Sequence, residues 1–198
     1  MTTSICRAKD PSICSYHQRV YGNYSATELK AQLDKEKLRA EVSNTDQARN
    51  RFEYMNIILT AQHDATEQGY AELDSEHARY SSVLDEVYMN GDEKDDVFDE
   101  AQEAVEELEE KLKTVSALRS LRMESQQRLD VTRNAVDARA GSAAEKKVRL
   151  LTVLKKERHL LVEEEKRNGF ADYSPKSNAY AAVLHELQGF IRAVQEQD

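Results

Sequence analysis

The feature that most constrains the fold is a stretch of about 48 residues, from Asp92 to Arg139, that contains neither glycine nor proline. As a single helix this stretch would extend for about 72 Å, at a rise of 1.5 Å per residue. The whole chain of 198 residues has only 6 Gly and 2 Pro, which is too few for a protein built from many short strands and turns. The sequence therefore predicts an all-α protein.

The chain is too polar for a thick hydrophobic core. Charged residues make up 33% of it and there is no Trp, a balance that suits long helices with narrow apolar seams. The longest apolar run, from Ala179 to Leu184, is far shorter than the roughly 20 residues of a membrane span. The first 25 residues hold no apolar stretch of the signal-peptide type. We therefore expect a cytoplasmic protein whose two cysteines stay reduced.

Capping and turn residues divide the chain into about five helices, including one break or kink near residues 63–66, where Asp64 and Glu67 form a weak capping pair. The predicted helices span 25–43, 45–62 with a continuation to 88, 92–140, 142–167 and 175–194. We accordingly expect an irregular Cys/His head at 1–24 and N-terminal helices at 25–90. A long hairpin, acidic and then basic, would follow at 91–168, and a loop with a docked amphipathic helix at 169–198.

The apolar seam of the longest predicted helix changes phase. Its positions from Val105 to Val115 keep a 3-4-3 spacing, but Arg119 and Arg122 occupy the next positions of that repeat. The seam must therefore shift to Leu118, Leu121, Leu129 and Val136. This pattern favours an antiparallel hairpin or bundle with broken coiled-coil character over a long parallel dimeric coiled coil.

The N-terminal head contains three candidate zinc ligands, Cys6, Cys14 and His17, in a C-x7-C-x2-H pattern. Thiolate and neutral imidazole are the ligands that zinc prefers, but a closed structural site needs a fourth ligand and usually a shorter Cys–Cys spacing. The candidates for that fourth ligand are Asp10, His63 and His77. The commoner interpretation is a pair of reduced cysteines and an exposed histidine, without metal.

The same head carries a resemblance. Residues 6–17, C-R-A-K-D-P-S-I-C-S-Y-H, resemble the C-R-A-x-x-P-x-x-C-x-x-H opening of many small uncharacterised actinobacterial and actinobacteriophage proteins, although Gln18 stands where Gly commonly follows the His. Residues 64–70, D-A-T-E-Q-G-Y, are similar to a D-A-T-x-x-G segment that often joins two helices in that group. The resemblance implies a bacterial cell, a phage-infected cell or a virion as the setting and a helical hairpin near Asp64. It implies no activity.

Motifs of known enzyme chemistry are missing from the sequence. There is no Gly-rich phosphate loop and no G-x-S-x-G elbow. A di-iron bundle needs two Glu-x-x-His motifs, whereas the nearest approach here is a single Asp74-x-x-His77. His77 shares an apolar face with Leu73, as core histidines do, and His159 and His185 lack acidic or nucleophilic partners at helical spacing. We therefore expect that the protein is not an enzyme and has no cofactor beyond the zinc considered above.

Charge is distributed unevenly along the chain. Residues 85–110 contain 13 acids and one base, Lys94, whereas residues 111–170 contain 15 bases and 8 acids, within a net charge of −9. An acidic helix face usually serves solubility, but this one also suits docking on a basic partner. The candidate partner-binding residues are Asp92, Asp95, Asp96, Asp99, Glu100, Glu103, Glu106, Glu107, Glu109 and Glu110.

Together these patterns predict a non-enzymatic helical interaction or assembly protein. Its partner would be a second copy or another basic protein, and not a membrane. One alternative is an acidic protein that mimics nucleic acid and blocks a DNA-binding or defence protein, and another is a small zinc-stabilised binding module. The hypothesis that residues 111–167 bind nucleic acid has still less support, because 8 acids interleave with the bases and no aromatic residue is available for stacking.

Overall fold

The computed structural model describes residues 26–43, 46–90, 96–137 and 139–196. All regular secondary structure in these ranges is helical, which confirms the predicted fold class, but there are six helices rather than about five. They are α1 (Ala26–Ser43), α2 (Asp46–Asp64), α3 (Glu67–Asn90), α4 (Asp96–Asp137), α5 (Ala143–Asn168) and α6 (Pro175–Gln195). The Cys/His head lies outside the described residues.

There is one helix more than predicted because the chain is truly broken between α2 and α3. The hydroxyl of Thr66 accepts a hydrogen bond from the backbone N–H of Gly69 at 3.0 Å and donates one to the carbonyl of His63 at 2.7 Å. Thr66 therefore caps the first turn of α3. The predicted capping pair marked the break correctly but assigned the cap to the wrong residue, since the carboxylate of Asp64 lies beside His63 instead, at 3.2 Å from its Nδ1.

The chain divides into two compact units, and the division falls inside α4. In the first unit, Ser25–Ala117, α1 packs against α2 and α2 against α3. The largest buried apolar side chains of this unit are Leu29, Ile58, Leu59, Leu73, Leu108 and Val115.

The second unit, Leu118–Asp198, contains the end of α4 together with α5 and α6. Ser142 caps α5 through a capping box, in which its hydroxyl accepts from the N–H of Glu145 and its own N–H donates to that carboxylate. Gly169 ends α5 with a φ of 56°, a left-handed conformation that glycine adopts at low cost. Ser174 caps α6, with Pro175 in the first turn.

The last helix packs against α5, as its apolar stripe predicts. Its buried residues include Ala179, Ala182, Val183, Leu187, Phe190, Ile191 and Val194. The shifted seam of α4 is buried at Leu118, Leu121 and Leu129, and the side chain of Val136 lies outside the described residues. No helix within the described ranges is both long and apolar enough to span a membrane.

Candidate interaction surfaces

The first candidate surface is the acidic N-terminal half of α4. Of the ten predicted carboxylates, seven have described side chains, and all seven are exposed to solvent. We call them the acidic face: Asp99, Glu100, Glu103, Glu106, Glu107, Glu109 and Glu110. Asp92 and Asp95 lie outside the described residues, as does the side chain of Asp96.

Two lysines at the end of the acidic face neutralise part of its charge. Lys111 pairs with Glu107 at 2.6 Å, and Lys113 pairs with Glu110 at 2.8 Å and with Glu109 at 3.9 Å. The hydrogen bond and the charge of Glu110 raise the pKa of Lys113. In the part of the chain that the structure describes, we find no ion pair at Asp99, Glu100 or Glu103. The N-terminal part of the face therefore holds the least compensated negative charge.

The apolar seam beside the acidic face is occupied within its own unit. Leu108 and Val115 are buried, and Val105 and Leu112 are half-buried. These four positions are the part of the seam that keeps the 3-4-3 spacing. Because two of them are buried and two are half-buried, a partner of the acidic face meets mainly carboxylates.

The second candidate surface is basic and lies on the hairpin of α4 and α5. Between residues 139 and 158 there are seven bases and two acids, and both acids are already bound within the chain. Glu157 is buried against Arg128 at 2.8 Å, and Glu145 is held by the capping box, where the backbone N–H of Ser142 lowers its pKa. The exposed bases form what we call the basic surface: Arg139, Lys146, Lys155, Lys156 and Arg158.

A groove opens between α4 and α5 beside the basic surface. It has a volume of about 440 Å³ and is mainly apolar, with Leu129, Val131, Val153 and Leu160 among its lining residues and Lys156 at its rim. Val131 is 69% exposed and Leu160 is 39% exposed, so no part of the described chain covers them fully. We call this the hairpin groove, and its volume lies within the range of sites that bind compact apolar groups.

Two arginines of α4 fix the positions of the neighbouring helices. Arg122 donates to Glu186 of α6, with Nε 3.1 Å from Oε2, and the side chain of Glu186 is completely buried. Arg128 binds Glu157 of α5 and approaches Glu164 at 3.8 Å. In the sequence Arg122 only interrupts the apolar seam, because nothing local marks a partner 64 residues away.

Three consecutive polar residues, Gln62, His63 and Asp64, are largely buried where α2 ends. Burial raises the pKa of Asp64, although His63 and Lys111 act in the opposite direction. Nε2 of His63 and Nε2 of His77 are buried without a hydrogen bond. Both histidines are candidates for a fourth zinc ligand. The other three candidate ligands, Cys6, Cys14 and His17, lie outside the described ranges, so the zinc site stays a prediction.

Among the residues with described positions, no group of three or more His, Cys, Asp or Glu side chains is arranged to hold a metal ion. Comparison with protein-family models, with curated proteins and with solved structures finds no match for this chain. The acidic face, the basic surface and the hairpin groove are therefore defined by charge, burial and geometry alone.

Proposed function

We propose that this chain is a non-enzymatic helical assembly protein, in which the acidic face of one copy docks on the basic surface of another. The observation that carries the proposal is the exposure of two oppositely charged surfaces by one chain. Seven carboxylates are exposed between residues 99 and 110 with no base among them, and five bases are exposed between residues 139 and 158. Opposite potentials of this kind favour encounter and fix orientation between partners.

The same distribution disfavours the mimicry of nucleic acid. A mimic presents rows of negative charge to a basic target, whereas here the acidic face is followed within the same helix by exposed Lys113 and Arg119, and by the basic surface on the hairpin. Those cations repel a basic nucleic-acid-binding protein. A second copy, by contrast, supplies both the cations and the anions that are needed.

Contacts of this type are heterologous, because different surfaces of the two copies meet. Each exposed ion pair contributes about 0 to 1 kcal/mol and is screened beyond roughly 8 Å at physiological salt. With Leu108 and Val115 buried in their own unit, ion pairs alone give weak association. We therefore expect self-association that strengthens with protein concentration and weakens as salt is added.

The experiment is light scattering or sedimentation at low and high salt. Wild type is compared with a variant in which Glu106, Glu107, Glu109 and Glu110 are changed to Gln. We expect wild type to associate at low salt, and the variant to associate more weakly at the same concentration.

The matched control neutralises four other exposed carboxylates of the same unit, outside the acidic face. Its substitutions are Asp34→Asn, Glu53→Gln, Asp74→Asn and Glu76→Gln. Because the net charge changes equally, any general effect of charge on association appears in both variants. A monomer under every condition rejects the proposal, and so does an oligomer that is indifferent to salt and to the substitutions at Glu106–Glu110.

A further inference from the structure

We infer that the end of α3 from a second copy docks in the hairpin groove, with Met89 and Tyr88 as its apolar contacts. The inference rests on the proposed function and supplies the apolar component that ion pairing between the acidic face and the basic surface lacks. The contact joins an exposed apolar group of Ser25–Ala117 in one copy to the exposed apolar groove of Leu118–Asp198 in another copy.

Among the described residues of its unit, the end of α3 presents the two most exposed large apolar side chains. Met89 is 83% exposed and Tyr88 is 67% exposed, in a chain whose other large apolar side chains are mostly buried or half-buried. Exposed neighbouring side chains of this size mark interaction sites more often than isolated ones do. Methionine is flexible and polarisable, and therefore fills irregular apolar cavities well.

The same turn of α3 is acidic, which matches the rim of the hairpin groove. Asp85 and Glu86 are exposed and precede Met89 by four and three residues, so all three lie on one side of the helix. At the groove, the exposed side chain of Lys156 lies one turn along α5 from Val153, among the lining residues. An apolar side chain flanked by carboxylates thus meets an apolar groove that also presents a lysine.

The groove selects an apolar side chain over a phosphate or a sugar. Its lining is mainly aliphatic, and the charge at its floor is already compensated, because Arg128 binds Glu157 at 2.8 Å. Lys156 is the lining cation at the rim. A nucleic acid would contact the lysines but leave Val131 and Leu160 exposed to water, whereas the end of α3 contacts both kinds of group.

The test uses two variants that each remove one side of the contact. The donor variant carries Tyr88→Gln and Met89→Gln, and the acceptor variant carries Val131→Gln and Leu160→Gln. All four positions are exposed, so the fold tolerates the change. By light scattering at low salt, we expect each variant alone to associate at least tenfold more weakly than wild type.

Mixing the two variants in equal amounts is the decisive step. The donor variant keeps an intact groove and the acceptor variant keeps an intact α3 end, so the mixture should form a heterodimer that neither variant forms alone. Its formation also shows that both variants are folded. If only the acceptor variant associates more weakly, groove-to-groove pairing replaces the inference, and if only the donor variant does so, pairing between α3 ends replaces it.

Two matched controls change exposed apolar residues elsewhere. Leu38→Gln lies between Lys37 and Arg39 on α1, and Val148→Gln lies on α5 but does not line the groove. Both should associate as wild type does. If the Gln variant at Glu106–Glu110 associates more weakly than wild type, while neither the donor nor the acceptor variant has any effect, the inference fails and the proposed function stands.

Discussion

The two units of this chain bury polar groups in different ways. In Leu118–Asp198, the buried carboxylates of Glu157 and Glu186 are each bound by an arginine of α4. In Ser25–Ala117, Asp64 is partly buried beside His63, and Nε2 of that histidine has no hydrogen bond. The first arrangement fixes the positions of three helices relative to one another. The second leaves a desolvation cost at a helix break, because a buried ring nitrogen there has no hydrogen bond.

The strongest way to break this contrast is to remove one partner of a buried pair. Changing Glu186 to Ala leaves Arg122 without its carboxylate, and an uncompensated buried charge costs about 3 to 5 kcal/mol. We expect a loss of this size in the free energy of unfolding, measured by urea denaturation. The control is the double variant Arg122→Met, Glu186→Leu, which removes both charges and should recover most of the loss. A single variant as stable as wild type would contradict the role of this pair.

In the other unit, the largest effect of a small change is expected at Gly69, which follows the helix break. A Cβ atom at this position would collide with the backbone carbonyl of His63, which cannot move aside as a flexible side chain does. We therefore expect Gly69→Ala to destabilise the protein by about 1 to 3 kcal/mol through overpacking, measured by urea denaturation.

Gly189 in α6 provides the matched substitution in the second unit. A Cβ at Gly189 meets nothing within 4 Å, so Gly189→Ala should stabilise by about 0.5 to 1 kcal/mol, the usual gain for replacing a helical glycine. The two substitutions should change the free energy of unfolding in opposite directions, which separates a steric effect from helix propensity. Equal changes at both glycines would mean that the break at Thr66 is not tightly packed.

The effect of pH on stability should be smaller than the effects of these substitutions, and it should differ between the two units. Because burial raises the pKa of Asp64 above its ordinary value of 3.8, the folded state binds this proton more tightly than the unfolded state does. The contribution of Asp64 is fully present below pH 3.8 and is lost as the pH rises through its folded pKa. Asp64→Asn should abolish that loss, which thermal unfolding at pH 4 to 7 measures. An unchanged pH profile would count against the burial of Asp64.

His185 in the second unit should respond in the opposite direction. Burial lowers the pKa of His185 from 6.5, and the charge of Arg192 lowers it further. Its contribution to stability is therefore fully present above pH 6.5 and is lost as the pH falls through the folded pKa. His185→Gln should reduce the drop in melting temperature between pH 7 and pH 5. A drop as large as that of wild type would assign the effect to other groups.

Local signals in the sequence were sufficient to place most helix ends, because capping depends on residues three or four apart. The helix predicted over 142–167 begins in the structure directly after its cap Ser142 and ends directly before its cap Gly169. The exposure of the acidic face could also be predicted, because its carboxylates lie outside the apolar seam of the same helix. The pairing of Arg122 with Glu186 could not be predicted, since their separation of 64 residues leaves no local pattern.

The hairpin groove was missed for a related reason. Val131 and Leu160 belong to different helices, and their juxtaposition depends on the crossing of α4 and α5 rather than on spacing within either helix. The cap at Thr66 was missed because Asp64 is an equally good capping type. Only its contact with His63 shows that Asp64 is engaged elsewhere.

The capping box at Ser142 also has a consequence for the order in which the second unit folds. The turn it stabilises closes a short loop, after which Arg128 and Glu157, 29 residues apart, can meet at little cost in chain entropy. The contact of Arg122 with Glu186 spans 64 residues and closes a longer loop. Contacts between near neighbours in sequence form fastest. The pairs α4–α5 and α5–α6, which short loops connect, are therefore expected to form before the contact between α4 and α6.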